Sequence, residues 1–143
     1  MKSVEELEVF KRAHMLTLEL YKCTSKFPSE EKFGLISQIR RASSSICANL
    51  IEGSHRINTG EFRQFVGISN GSTGELKYHI LLAKDLNYID LEKYNFLNQE
   101  INTISKMLRG LINSLTQKTN TNTSNQHLKN SKGVFNHQIT IHN

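Results

Sequence analysis

Apolar residues recur at steps of three and four along most of the first 117 positions, which is the spacing of one face of an α-helix. A first helix is predicted over about 4–26, before Pro28, the only proline of the chain. A second helix is predicted after it, with Ser29 as its N-cap and an end at Gly53 in the left-handed conformation. The two apolar stripes are Val9, Ala13, Leu16, Leu20, Cys23 and Phe27, then Leu35, Ile39, Ala42, Ile46 and Leu50.

Two further helices are predicted after the polar stretch SHRINTGE. Thr59 is the expected cap of a third helix that runs to about Leu86, and Asp90 is the expected cap of a fourth. Their apolar stripes are Phe62, Phe65, Val66, Leu76, Ile80 and Ala83, then Tyr94, Leu97, Ile101, Ile104, Leu108, Leu111 and Leu115. Four long helices joined by short connections predict an all-α fold, an antiparallel up-and-down four-helix bundle over 1–117.

The composition changes beyond residue 117. Residues 118–143 are rich in Asn, Thr and Ser, have few apolar side chains and show no period. Such a segment cannot bury enough apolar surface to offset its ordering entropy, so it is predicted to be a disordered, polar and basic C-terminal tail. The candidates for local docking within it are Val134, Phe135, Ile139 and Ile141.

Net charge and hydropathy bear on whether the protein binds an anionic partner or spans a membrane. The 143 residues carry a formal charge of +5, with 15 Lys and Arg against 13 Asp and Glu in 1–117, and 3 against none in 118–143. A nearly neutral body permits an anionic partner without requiring one. No stretch is apolar enough to span a membrane, and the N-terminus lacks the layout of a signal peptide, so a cytoplasmic protein with no membrane contact is expected.

Small and polar residues interrupt the middles of the second and third helices. Ser43, Ser44 and Ser45 follow two arginines, and the third helix contains Gly67, Gly71 and Gly74, each of which costs about 1 kcal/mol relative to Ala. We expect these thin regions to face each other, so that the two backbones approach closely. Three side chains would then form a buried, hydrogen-bonded polar layer between the helices: Asn49, Ser72 and Glu75.

The same region carries a resemblance to a known family. The pattern G-L-x-x-Q-x-R-R-A-x-x-S-I-x-x-N-x-x-E-G is formed by Gly34, Leu35, Gln38, Arg40, Arg41, Ala42, Ser45, Ile46, Asn49, Glu52 and Gly53. It continues with Glu61, Phe62 and Phe65, then with Gly71, Ser72 and Glu75. In these residues the chain resembles, over about 4–117, the bacterial four-helix-bundle proteins encoded within intervening sequences of 23S ribosomal RNA genes, the S23 or IVP family.

The resemblance implies more than the residue pattern does. It implies a homopentamer, a closed ring with a central channel and a basic surface. The family also looks similar to the accessory variability determinant of diversity-generating retroelements, which implies a reverse transcriptase and nucleic acid as partners. It implies no enzymatic activity and no cofactor.

Four arginines are the candidate nucleic-acid-binding residues: Arg40, Arg41, Arg56 and Arg63. A guanidinium is suited to bidentate contacts with phosphate, so they would form a phosphate-binding surface. The alternative is pairing within the protein or at a subunit interface, with Glu30, Glu31, Glu52 or Glu61 as partners. Four other cations are interpreted as solvated surface: Lys77, Lys84, Lys106 and Arg109.

Other chemistry has weaker support. Glu52 and His55 have the Glu-x-x-His spacing of di-metal bundles, with Glu75 and His79 one turn apart on the next helix, but a second such motif is lacking, so no metal is expected. Cys23 and Cys47 lie in helical patterns and are expected to be buried free thiols. No catalytic residue is assigned.

The sequence therefore predicts a non-enzymatic, ring-forming interaction module that binds structured RNA or DNA through the four arginines. The alternative is a protein-binding scaffold or accessory subunit that holds a reverse transcriptase or another enzyme and has little affinity for nucleic acid. A second apolar face on the first helix, with Leu7, Phe10 and Leu18 off the main stripe, favours self-association in either case.

Overall fold

The computed structural model describes the backbone of residues 3–141 and the side chains of residues 3–118, 120, 124 and 125. The described part of the chain contains four α-helices and no strand. The helices are α1 (Glu8–Thr24), α2 (Leu35–Ser54), α3 (Thr59–Asp85) and α4 (Leu91–Ile141). Single 3-10 turns at Val4–Glu6 and Ser29–Glu31 precede α1 and α2.

The helices pack in chain order around one core, which confirms the predicted four-helix bundle. Helix α3 packs extensively against both α2 and α4, whereas α1 packs against α2 and only sparsely against α4. In the described part of the chain, no Cα atoms of the diagonal helix pairs come within 8 Å of each other. The interior is formed by the predicted stripes, and its largest fully buried side chains are Leu20, Ile39, Ile46, Leu50, Leu76, Ile80, Leu97, Ile101, Ile104 and Leu108.

Helix α2 begins later than the sequence predicts. Residues Ser29–Glu31 form a separate 3-10 turn, and Ser29 makes no side-chain capping bond there. The carboxylate of Glu31 instead accepts a hydrogen bond of 2.9 Å from the backbone amide of Leu35, the first residue of α2. Glu31 is held in place by the hydroxyl of Tyr88, which donates to its other oxygen over 3.2 Å.

The starts of α3 and α4 are capped by side chains. Asn58, and not the predicted Thr59, is the N-cap of α3, and its Oδ1 accepts a 2.8 Å hydrogen bond from the amide of Glu61. The carboxylate of Glu61 in turn accepts a hydrogen bond from the amide of Ile57 over 3.3 Å, so one free donor of the helix and one of the preceding connection are satisfied. The prediction for α4 is confirmed, since Oδ1 of Asp90 accepts from the amide of Lys93 at 2.7 Å.

Gly53 has a different role from the predicted one. Its φ is not positive, and α2 continues through it to Ser54. A Cβ built on Gly53 would lie 2.5 Å from Cβ of Phe65 and 3.0 Å from Cδ2 of Phe62. The absent side chain therefore serves the close approach of α2 and α3 and not the end of the helix.

Helix α4 is longer than the sequence pattern indicates. It continues to Ile141, past residue 117, and no proline, which would interrupt a helix, occurs in this segment. Among the described side chains, Leu115 is the last buried one, so the core ends where the bundle was predicted to end. Most side chains of 118–143 lie outside the described residues, and the predicted disorder of this segment stays a prediction. The same holds for the docking candidates Val134, Phe135, Ile139 and Ile141.

Candidate interaction surfaces

Arg40 ties the start of α2 to the end of α1. Its Nε donates to the Thr24 hydroxyl at 3.0 Å, and its Nη2 donates to the carbonyl of Tyr21 at 3.2 Å. The guanidinium carbon also lies 4.6 Å from the centroid of the Tyr21 ring. A cation at a helix C-terminus satisfies a free carbonyl and interacts favourably with the helix dipole. Arg40 thus contributes to joining two helices.

Arg41 spans the seam between α2 and α3. Its Nη2 donates to Oε1 of Gln38 at 2.8 Å and forms an ion pair with the carboxylate of Glu75. The same Glu75 oxygen lies 3.5 Å from Nε2 of His79, one turn further along α3. Arg41 therefore has an acidic partner within the subunit, although more than half of its side chain is exposed.

The other two predicted arginines also have partners within the chain. Arg56 forms a 2.9 Å ion pair with Glu52, and its guanidinium carbon lies 4.7 Å from the centroid of the Phe65 ring. Arg63 donates to the hydroxyl of Thr116 on α4 at 3.4 Å. The four arginines lie at different seams and ends of the bundle and do not form one shared surface. Pairing with Glu52 agrees with the alternative interpretation from the sequence.

A polar layer between α2 and α3 exists, and of its three predicted members Ser72 lies in it, whereas Asn49 and Glu75 do not. The hydroxyl of Ser45 donates to that of Ser72 at 2.6 Å, and Ser69, fully buried, donates to the carbonyl of Ile46 at 2.8 Å. Asn49 is half-buried and donates to the carbonyl of Ser45 in its own helix at 2.8 Å. Serines, with their small side chains, therefore bring the helices together, while Glu75 lies at the surface with Arg41.

The interrupting glycines of α3 do not face α2. A Cβ placed on Gly67, Gly71 or Gly74 would meet nothing within 4 Å beyond its own helix. The side of α3 that faces α2 is occupied by Ser69 and Ser72, so the glycine stripe turns towards solvent. The predicted close approach is provided by Gly53 of α2 instead.

The seam between α1 and α4 is open. A groove of about 520 Å³ runs along it. Its lining combines four apolar side chains, Met15, Leu16, Phe96 and Met107, with five charged ones, Glu8, Lys11, Arg12, Glu19 and Glu100. Met15 is 64% exposed, and Leu18 on α1 and Phe96 on α4 are each 51% exposed. Of the residues predicted to form a second apolar face, Leu7 and Phe10 pack against the core, so Leu18 alone of the three faces solvent.

Two ion pairs bridge this open seam. Arg12 donates to both carboxylate oxygens of Glu100, at 3.0 and 2.9 Å, and Lys93 pairs with Glu19. The hydrogen bonds from Arg12 lower the pKa of Glu100, and the hydrogen bond from Lys93 lowers the pKa of Glu19. Charged contacts therefore link α1 to α4 where apolar packing is sparse.

A basic face between α3 and α4 is the feature that the sequence did not reveal. Arg63 and Lys77 lie on the α4 side of α3, since Arg63 bonds Thr116 and Lys77 donates to Oδ1 of Asn102 at 3.0 Å. Lys106 and Arg109 are exposed on α4, one and two turns beyond Asn102. The antiparallel register of two helices brings these cations onto one side of the bundle.

The remaining candidates offer little chemistry. Residues 3–118 contain no group of three or more His, Cys, Asp or Glu side chains placed to hold a metal ion, and Glu52 pairs with Arg56. Cys47 is half-buried, and burial raises the pKa of its thiol to about 11. Burial also raises the pKa of the Cys23 thiol. In the part of the chain that is described, no helix has the length and apolar character needed to cross a membrane.

Comparison with known proteins identifies the family. The chain is similar to a protein of unknown function from the S23 ribosomal protein family of Bacteroides thetaiotaomicron, whose crystal structure superposes with a TM-score of 0.65. The two share 24% identity over 73% of this chain and 97% of the other, which shows a common fold. No curated protein sequence matches significantly. Residues 5–110 match the 23S rRNA-intervening sequence protein family, and the chain belongs to that family.

Proposed function

We propose that this protein is a non-enzymatic interaction module that assembles with copies of itself through the α1–α4 seam. The observation that carries the proposal is the exposure of Met15 and Phe96 in the groove between α1 and α4. Large apolar side chains that cluster at a surface mark a contact site, because their burial is favourable by about 25 cal/mol per Å². A second copy is the occupant that the family resemblance indicates, and a five-membered ring is the proposed assembly.

The pairing of the arginines supports a scaffold role for α2. Arg40, Arg41 and Arg56 are engaged with α1, with Glu75 and with Glu52. Arg41 and Arg56 are each paired with a carboxylate, which offsets the charge that a phosphate would contact, although exposed ion pairs of this kind contribute only a few tenths of a kcal/mol each to stability. Helix α2 is therefore proposed to contact protein, with a reverse transcriptase as the partner proposed from the resemblance.

Multi-angle light scattering after size-exclusion chromatography tests the assembly. A pentamer of the 16.4 kDa chain would have a mass of about 82 kDa. Placing charges in the groove with Met15→Glu and Phe96→Glu should shift the protein to monomer, because an unpaired carboxylate is costly to bury. Ile57→Glu is the matched control, since Ile57 is 95% exposed in the α2–α3 connection.

The outcomes separate cleanly. A monomeric wild-type protein at micromolar concentration refutes self-assembly. An unchanged oligomer in the double variant, with helical circular dichroism intact, places the interface elsewhere and refutes the role of the seam. Dissociation by the Ile57→Glu control as well as by the double variant would also contradict the proposal.

A further inference from the structure

The α3–α4 seam is held in register by three side-chain contacts. Along α3, Arg63, Asn70 and Lys77 follow each other at intervals of seven residues. They meet Thr116, Ser105 and Asn102 of α4 at 3.4, 2.7 and 3.0 Å. The residue numbers of the α4 partners fall as those of the α3 residues rise, so the two helices are antiparallel. One outer face is thus formed by the stripe 63–77 of α3 and the stripe 102–116 of α4.

Acidic side chains are absent from this face. Between residues 62 and 84 the sole acid of α3 is Glu75, which turns to α2 and pairs with Arg41. Between residues 93 and 118 the sole acid of α4 is Glu100, which turns to α1 and pairs with Arg12. Every acid of these two segments is therefore occupied at another seam.

The same face carries four cations: Arg63, Lys77, Lys106 and Arg109. Arg63 and Lys77 are hydrogen-bonded to neutral groups, the Thr116 hydroxyl and the Asn102 amide. Within residues 3–118, Lys106 and Arg109 make no ion pair or hydrogen bond. None of the four cations has a carboxylate partner among the described side chains, in contrast to Arg12, Arg41 and Arg56 on the other sides of the bundle.

The surface around these cations includes glycines, where no side chain covers the backbone. Gly67 and Gly74 lie on the same side of α3, and a Cβ on either would meet nothing within 4 Å beyond its own helix. Backbone without side chains lets a bulky polyanion approach closely, and the exposed amide of Asn113 can donate to phosphate or sugar oxygens there.

We propose that the α3–α4 face, with Arg63, Lys77, Lys106 and Arg109, is the docking surface for the phosphodiester backbone of a nucleic acid. The occupant is argued from charge: four cations without an acid match a polyanion. Arg63 and Lys77 are 14 residues apart, which is about 21 Å along a helix and equals about six nucleotide steps of a duplex strand. The surface is separate from the proposed assembly groove, so binding does not depend on it.

Fluorescence anisotropy of the full-length protein with labelled probes across a salt series tests the proposal. The probes are a 20-base-pair DNA duplex and an RNA hairpin with the same number of phosphates. The test variant is Lys77→Gln with Lys106→Gln and Arg109→Gln. The matched control is Lys22→Gln with Lys26→Gln and Lys32→Gln, which removes the same charge from exposed positions at the α1–α2 end.

The expected result is quantitative. The slope of log K against log salt for the duplex should fall in magnitude by about 0.9 for each cation removed, or about 2.7 for each subunit in contact with the probe. Affinity at 100 mM salt should drop more than about tenfold in the test variant and by much less in the control. Stronger binding of the hairpin than of the duplex would assign RNA as the ligand, and the reverse would assign DNA.

Two results would overturn the proposal. The first is no binding by the wild-type protein to either probe at 50 mM salt. The second is equal weakening in the test and control variants, which would mean that net charge alone governs binding. Light scattering on the same samples keeps this test distinct from that of self-assembly, because none of the six substituted residues lines the α1–α4 groove.

Discussion

Gly53→Ala should destabilise the bundle although alanine is the better helix former. The added Cβ would lie 2.5 Å from Cβ of Phe65, whereas carbon atoms in contact are about 3.5–4.0 Å apart. The Phe65 Cβ is fixed to its backbone and cannot rotate away, so α2 and α3 must separate by about 1 Å. Overpacking of this kind costs about 1–3 kcal/mol, against about 1 kcal/mol gained in helix propensity. The expected net loss is therefore up to about 2 kcal/mol.

Gly71→Ala is the matched control, with the opposite expected sign. Gly71 is also inside a helix, its φ is not positive, and a Cβ there meets nothing within 4 Å beyond its own helix. This substitution should therefore stabilise the protein by about 0.5–1 kcal/mol. Urea unfolding followed by circular dichroism at 222 nm, at one fixed protein concentration, measures both variants. The reasoning fails if Gly53→Ala is as stable as Gly71→Ala.

Two further predictions follow from the pKa shifts. Because the pKa values of Glu19 and Glu100 are lowered by their partners, stability from these pairs is present above the unfolded pKa of about 4.3 and is lost as the pH falls through the lower folded values. As the pH is lowered below about 5, the thermal midpoint of the wild type should fall, and that of the variant Glu19→Gln with Glu100→Gln should fall less steeply. Equal slopes of thermal midpoint against pH in the two proteins would contradict this. The Cys47 thiol has a pKa of about 11, so at pH 8 far less of it is thiolate than in the denatured chain, where a free Cys has a pKa of about 8.5. In a Cys23→Ser background, the reaction of Cys47 with a disulfide reagent at pH 8 should therefore be about two hundredfold slower in the native protein than in the denatured one. A native rate close to the denatured one would show that Cys47 is accessible.

The fold could be predicted because its signal is local. Apolar residues at steps of three and four mark the buried face of each helix, and residues such as Leu20, Ile46 and Leu108 are buried as their spacing predicts. The helix starts were less predictable, because several polar residues compete for each cap. Glu31 reaches the amide of Leu35 only after the 3-10 turn has formed, and Asn58 precedes an equally plausible Thr59.

The candidate surfaces depend on how neighbouring helices are rotated, which the spacing of residues does not specify. The glycines of α3 suggested contact with α2, but Ser69 and Ser72 lie on that side and turn Gly71 to solvent. Lys77 and Arg109 are 32 positions apart, and only the register of α3 on α4 places them on one face. The sequence does contain a signal for this surface. Its cations on α3 and α4 have no acid one helical turn away along their own helix, and the two helices are predicted to be antiparallel neighbours.

The sparse contact between α1 and α4 also bears on how the protein opens and folds. Helix α3 is held on two sides, by α2 and by α4, whereas α1 is held mainly by α2. Elements with few buried contacts exchange their amide hydrogens first and unfold locally before the rest of the domain. If a neighbouring subunit covers the seam beside α1, that local unfolding becomes less favourable as the protein concentration rises. The order of α1 would then be a property of the assembly, while α2, α3 and α4 remain a stable unit of each subunit.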